Sequence, residues 1–128
     1  MAKILIIDDD VALIELVQLH LKAAGHMVRT ASDAAEGIRM LLLDPPELIV
    51  SDISMPFLDG FELLRALRAE PLTRDIRVIF LTGRNDDESP VKARSLGVDD
   101  YLTKPIQVEG LLSSIDAVLK RARAQLAA

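Results

Sequence analysis

Short apolar runs alternate with helical patterns along this chain at nearly regular spacing. Ile4-Leu5-Ile6-Ile7 is a continuous apolar run that stops at Asp8-Asp9-Asp10, as in a strand buried on both faces with polar residues at its carboxyl end. Leu13, Ile14, Val17 and Leu21 then recur at helical spacing, and Gly25 closes that helix. Met27 to Ala31 alternates weakly, in the manner of an edge strand. Asp33 with Glu36 three residues on forms a capping-box pattern that opens a helix through Ile38 to Leu43, and Pro45-Pro46 stops it. Leu48-Ile49-Val50 is the third run, ending again in acid at Asp52. Ile53 to Gly60 contains Pro56 and reads as a loop, with Asp59 placed to cap the helix that carries Phe61, Leu64 and Leu67. Val78 to Leu81 is the fourth run and stops at Thr82-Gly83. Arg84 to Ser89 reads as polar loop, Pro90 suits a first helical turn, and Gly97 ends that short helix. Tyr101-Leu102-Thr103 is the fifth strand, ended by Lys104-Pro105. A last helix starts near Val108 and buries Leu111, Leu112, Ile115, Val118 and Leu119, and its basic, Ala-rich tail from Lys120 is expected to fray.

Strand-helix alternation of this kind calls for an α/β fold, a parallel sheet of five strands covered on both faces through right-handed crossovers. In such open sheets the functional site lies beyond the carboxyl ends of the strands, at the point where the strand order reverses. The residues at those ends are Asp8, Asp9, Asp52, Thr82 and Lys104. The fold therefore predicts that they converge.

Composition narrows the picture. The 128 residues fit one domain. Half are hydrophobic and 27% charged, but only 3% are aromatic, so the core must be aliphatic. A net charge of −5 argues against direct binding of nucleic acid or anionic lipid. There is no cysteine, hence no disulfide, thiolate nucleophile or Cys-based zinc site. His20 in a helical pattern and His26 at a strand start read as surface or boundary residues. The apolar N-terminal run is too short for a signal peptide or a membrane span, so a soluble, cytoplasmic chain is expected.

Three carboxylates brought together repel unless something neutralises them. The oxygen cluster of Asp8, Asp9 and Asp52 suits Mg²⁺, and Lys104 supplies a second, mobile cation. Thr82 adds a hydroxyl donor. A carboxylate in that setting can attack an incoming phosphoryl group while the cations stabilise the charge on its oxygens. Taken singly, an Asp after a strand is usually a cap, a Thr at a strand end structural, and a Lys before Pro a solvated charge. Asp10 is read as such a cap. The five together, at one end of successive parallel strands, are not a chance arrangement.

Four segments carry a resemblance: Ile6-Ile7-Asp8-Asp9; Asp52-Ile53-Ser54-Met55-Pro56 with Asp59-Gly60; Leu81-Thr82-Gly83; and Tyr101-Leu102-Thr103-Lys104-Pro105. Together they resemble the signatures of receiver domains of two-component response regulators, over roughly Lys3 to Lys120. The resemblance implies a flavodoxin-like, doubly wound (βα)5 sheet in the order 2-1-3-4-5, with residues 1–121 as the receiver unit and 122–128 as a helical or frayed tail. It implies that Asp52 is the phosphoacceptor and that Asp9, Asp52 and the Ser54 backbone carbonyl ligate Mg²⁺, with Asp8 acting on the metal mostly through water. Thr82 and Lys104 would contact the phosphoryl group, Tyr101 would change rotamer in the switch, and Lys104-Pro105 would be cis. Ser54 and Arg84 stand where relatives tune phosphoryl lifetime. The implied protein is a switch rather than a turnover enzyme. Its donor would be a histidine kinase or phosphotransfer protein. Its reader would be a downstream protein or fused effector domain, with a phosphorylation-dependent dimer formed through the fourth helix, fifth strand and fifth helix.

Two other readings compete. Asp8-Asp9-Asp10 contains the Asp-x-Asp pattern of haloacid-dehalogenase-type phosphatases, with Asp8 as nucleophile and Asp10 as acid/base, though Asp52 is then unexplained and there is no room for a substrate cap. A flavodoxin-like cofactor binder would need a Gly/Ser/Thr-rich phosphate loop where this chain has three acids. The chain also suits the receiver portion of a longer regulator or hybrid kinase.

Overall fold

The apolar runs become strands because each buries both faces, and the helical patterns become the layers that cover them. In the computed structural model, which describes residues 1–127, the order is β1 (Lys3–Ile7), α1 (Val11–Ala23), β2 (Met27–Ala31), α2 (Ala34–Leu43), β3 (Leu48–Ser51), α3 (Gly60–Ala69), β4 (Arg77–Thr82), α4 (Glu88–Ser95), β5 (Asp100–Thr103) and α5 (Val108–Ala127). Every strand pair is parallel, and the sheet runs β2-β1-β3-β4-β5. This is the expected five-stranded doubly wound sheet, with β2 at an edge. The chain leaves β1 toward β2 and returns to the other side as β3, so the switch point lies between the carboxyl ends of β1 and β3.

Alternate residues of each strand feed two separate cores. Ile4, Ile6, Leu48, Val50, Ile79 and Leu81 pack against Ile14, Val17 and Leu21 of α1 and Leu111, Ile115, Val118 and Leu119 of α5. Leu5, Ile7, Ile49, Val78 and Phe80 face the other way, onto Leu41 of α2, Phe61, Leu63, Leu64 and Leu67 of α3 and Ala93 of α4. Each such fully buried aliphatic side chain contributes about 1.5–3 kcal/mol relative to exposure. Two-sided burial is why the strands read as continuous apolar runs.

Short-range signals set most of the helix ends. The Asp10 carboxylate accepts the Leu13 N–H, which confirms Asp10 as a cap. Asp59 and Glu62 form a reciprocal capping box. At α2, Asp33 caps Glu36 N–H, but the Glu36 carboxylate turns to Ser32 instead of completing the box. Gly25 and Gly97 have φ of 92° and 89°. Each helix there closes with a pair of nested hydrogen bonds, Gly25 N–H to Lys22 and His26 N–H to Leu21, and Gly97 N–H to Arg94 and Val98 N–H to Ala93. Helix α4 begins at Glu88, two residues before Pro90, so Glu88 and Ser89 leave the predicted loop. Asp86 makes this possible by accepting both the N–H (2.8 Å) and the hydroxyl (2.9 Å) of Ser89.

At the amino-terminal end of the sheet, Arg68 ties three segments together. It donates to the carbonyls of Gly97, Arg74 and Ile76 and pairs with Asp99 at 3.2 Å. His20 is exposed, whereas the half-buried His26 accepts the Ala2 N–H through Nδ1. Burial and the positive N-terminus lower the His26 pKa, which favours the neutral ring able to accept that hydrogen bond. Helix α5 runs without a break through Ala127. Ala128, the end of the expected tail, lies outside the described residues. No helix among the described residues is long and apolar enough to cross a membrane.

Candidate functional site

The backbone of the sheet delivers the acids to one place. Asp8 N–H donates to the Ala31 carbonyl and Asp52 N–H to that of Ile7, so both residues extend the ladders of β1 with its neighbours. One carboxylate oxygen from each of Asp8, Asp9 and Asp52 lies within 4.8 Å of the others. Asp8 and Asp52 are buried and Asp9 is exposed, so the cluster opens outward on one side.

Lys104 arrives from the carboxyl end of β5, held by its own N–H on the Thr82 carbonyl at 2.7 Å. Its ammonium sits 2.9 Å from Asp8 Oδ2 and 3.3 Å from Asp52 Oδ2, bridging two acids that are distant in sequence. Burial works against the charge of Lys104, but hydrogen bonds and Coulombic attraction from Asp8 and Asp52 carry its pKa above the ordinary value. Burial pushes the Asp8 carboxyl up, against the Asp10 N–H and Lys104, which favour its charged form.

The Asp52 carboxylate is fixed in rotation. Its Oδ1 accepts the N–H groups of Ile53 (2.6 Å) and Ser54 (3.2 Å), which leaves Oδ2 facing Lys104. Thr82 is fully buried, and its hydroxyl accepts the Arg84 N–H at 3.2 Å. Arg84 in turn donates from Nε to the Ser54 hydroxyl (3.2 Å) and lies 5.5 Å above the Phe61 ring. Neither contact of Arg84 was visible in the spacing of the motifs. Tyr101 is half-buried, edge-on to Phe80 at 6.4 Å, and Phe80 is edge-on to Phe61 at 5.8 Å. The Tyr101 hydroxyl is buried without a hydrogen-bond partner, and burial raises its pKa. The Lys104-Pro105 peptide is cis.

Asp8, Asp9, Asp52 and Lys104 thus meet as the topology required, and Thr82 stands one strand away. Asp10 points to its helix instead, which removes the acid/base that the phosphatase reading assigned to it.

A sequence model of the response regulator receiver domain matches residues 4–116. The DNA-binding dual master transcriptional regulator RpaA of Synechocystis is 40% identical over 121 residues, covering 94% of this chain and 50% of that protein. Among solved structures, the chemotaxis response regulator CheY4 of Vibrio cholerae is 30% identical with a TM-score of 0.85, covering 92% of this chain and 98% of that one. A CheY-like receiver domain from Methanospirillum hungatei reaches a TM-score of 0.90 at 30% identity, covering 98% of both chains. The chain belongs to the response-regulator receiver family. It is a phosphoacceptor switch of two-component signalling, and the haloacid-dehalogenase alternative finds no support. The chain spans about half the length of the curated relatives it matches.

Proposed function

We propose that Asp52 receives the phosphoryl group, with Asp8, Asp9, Thr82 and Lys104 as its working partners. The single observation that carries this reading is the Lys104 ammonium bridging Asp8 and Asp52 at 2.9 and 3.3 Å. An Asp52 carboxylate oxygen attacks the donor phosphorus, the bond from phosphorus to its donor breaks, and the leaving group keeps the electron pair. The two backbone N–H groups on Oδ1 hold the nucleophile in one orientation, which removes a rotational freedom before reaction. Lys104 is placed to follow the charge onto the phosphoryl oxygens, and the Thr82 hydroxyl is free to donate while it accepts from Arg84.

The donor set fits Mg²⁺, since three carboxylate oxygens lie close enough to share one hard cation. Asp9 and Asp52 would hold it with the Ser54 carbonyl, and Asp8 through water. When bound, the ion supplies charge neutralisation for the acids and for the incoming phosphoryl oxygens. Mixing the protein with acetyl phosphate and Mg²⁺ should raise the intact mass by one phosphoryl unit. Chelating the metal beforehand should abolish the gain, and a gain that survives EDTA contradicts the metal assignment.

Lys104 and the metal share the same acids, which gives a signed prediction. Lys104→Met should destabilise the metal-free protein by about 3 kcal/mol, the low end for breaking a buried pair because Lys104 is partly exposed, since two buried carboxylates lose their counter-charge. Saturating Mg²⁺ should then raise the melting temperature of the variant more than that of wild type. Equal metal-induced shifts in calorimetry would show that Lys104 does not balance this cluster.

The added phosphoryl charge of about −1.5 to −2 draws Thr82 and Lys104 inward. Tyr101 then rotates away from its present position edge-on to Phe80. The face formed by α4, β5 and α5 changes shape and supplies a dimer contact or a docking surface for a downstream protein or fused effector. The donor is a histidine kinase or phosphotransfer protein. Residues 1–121 form the switch unit, since Leu119 is the last buried α5 residue among those whose burial is described, and 122–128 are taken as its tail. The unit works in the cytoplasm as a switch rather than a turnover enzyme, without binding nucleic acid itself.

A further inference from the structure

The loop that leads away from Asp52 carries a side chain that neither the fold nor the phosphoryl chemistry uses. Phe57 is 101% exposed, the most exposed of the large hydrophobic residues. It is also the only non-glycine residue with positive φ among the described residues, at 70°. The Leu58 N–H donates to the Pro56 carbonyl at 2.8 Å, so Phe57 is the central residue of a three-residue turn. Positive φ there favours Gly, Asn or Asp and is a true outlier for a bulky side chain. Phe57 therefore carries two unfavourable features, a strained backbone and a wholly solvated ring. Backbone strain of this sort clusters at functional sites.

Its position says what covers it. Asp52 is only 9% exposed, and its opening is bordered by the exposed Asp9 and Ser54. Phe57 lies three residues beyond Ser54 on the same loop, and Val11, 62% exposed, follows the three acids that come after β1. For transfer, a donor must bring its phosphorus within bonding reach of Asp52, so a protein donor has to close over these loops. A small donor does not. A second copy of this chain would cover Phe57 but brings no phosphohistidine.

We propose that Phe57 is an anchor for the phosphohistidine-bearing protein that loads Asp52, inserting its ring into an apolar patch beside the donor histidine. The inference rests on the phosphoacceptor reading of Asp52 and adds the residue that distinguishes protein donors from small ones. A rigid, exposed aromatic at the centre of a contact is the type of residue that dominates such interfaces.

The test compares two donor classes on wild type, Phe57→Asn and Phe57→Gly. Protein donors are the purified, ATP-phosphorylated histidine kinases and phosphotransfer proteins of the source genome, and the small donor is acetyl phosphate with Mg²⁺. With the fastest protein donor, kcat/KM should fall about tenfold or more in both variants, mostly through KM. The acetyl phosphate rate should stay within about twofold of wild type. Melting temperatures should hold or rise, because both replacements relieve strain. Phe57→Leu, which keeps an apolar side chain, should fall between wild type and Phe57→Asn.

An unchanged rate with the protein donor overturns the proposal, as does a parallel loss with both donor classes. So does a wild-type dimer that Phe57→Asn disperses without slowing transfer, which would give the ring to self-association. A wild type that no kinase or phosphotransfer protein loads, while acetyl phosphate does, also removes the anchor. A wild type that acetyl phosphate cannot load removes instead the reading of Asp52 on which the inference stands.

Discussion

Gly60→Ala is expected to lower the melting temperature by about 8–12 °C. A Cβ at this position would lie 2.8 Å from the Asp52 carbonyl oxygen, 2.8 Å from the Ile53 Cα and 3.0 Å from the Phe80 ring. Two of the three are backbone atoms, and the third belongs to a fully buried side chain, so none can step aside cheaply. The Gly60 N–H also donates to the Ile53 carbonyl at 2.8 Å, which holds the start of α3 against the loop. Overpacking of this sort costs about 2–3 kcal/mol, and for a domain of this size each kcal/mol shifts the midpoint by about 4 °C. The same displacement pushes on the Asp52 backbone and slows loading from acetyl phosphate by about tenfold or more. Gly110→Ala is the control: its Cβ meets only Ile106 side-chain atoms at 3.5 and 3.6 Å, within helix α5. That change should leave loading intact and hold or raise the midpoint by removing a helical glycine. Comparable melts for the two variants would contradict the close approach of α3 to Asp52.

Most of the fold was legible because its signals are local. The runs Ile4–Ile7, Leu48–Val50 and Val78–Leu81 declare buried parallel strands, and the acids or hydroxyl that stop them mark the carboxyl ends. Asp59 with Glu62, and Gly25 and Gly97, set helix ends through contacts a few residues apart. Pro90 falls in the first turn of α4 as its pattern predicts, but the helix begins two residues earlier, at Glu88, because Asp86, rather than the residue adjoining the helix, does the capping.

What the sequence could not give is the meeting of side chains from distant segments. The topology brings Asp8 and Lys104 together, but only the structure shows one ammonium shared between Asp8 and Asp52. Arg68 carries no signal in the pattern of α3, yet its five hydrogen bonds all go to residues 74–99. Gly60 read as a loop glycine, and its steric role appears only when α3 is set against Phe80 and Asp52. The strain and exposure of Phe57 had no signal in periodicity at all.

The largest effect on activity is expected at Asp52, the only one of the three clustered acids whose carboxylate is locked by two backbone N–H groups while facing Lys104. Asp52→Asn replaces an anionic oxygen with an amide, which cannot form an acyl phosphate, and it leaves the side chain's size almost unchanged. The direct measurement is intact mass after incubation with acetyl phosphate and Mg²⁺, wild type beside Asp52→Asn, with circular dichroism to show that both are folded. Wild type should gain one phosphoryl unit and the variant none. A folded Asp52→Asn protein that still gains that mass would contradict the account and move the acceptor to another residue.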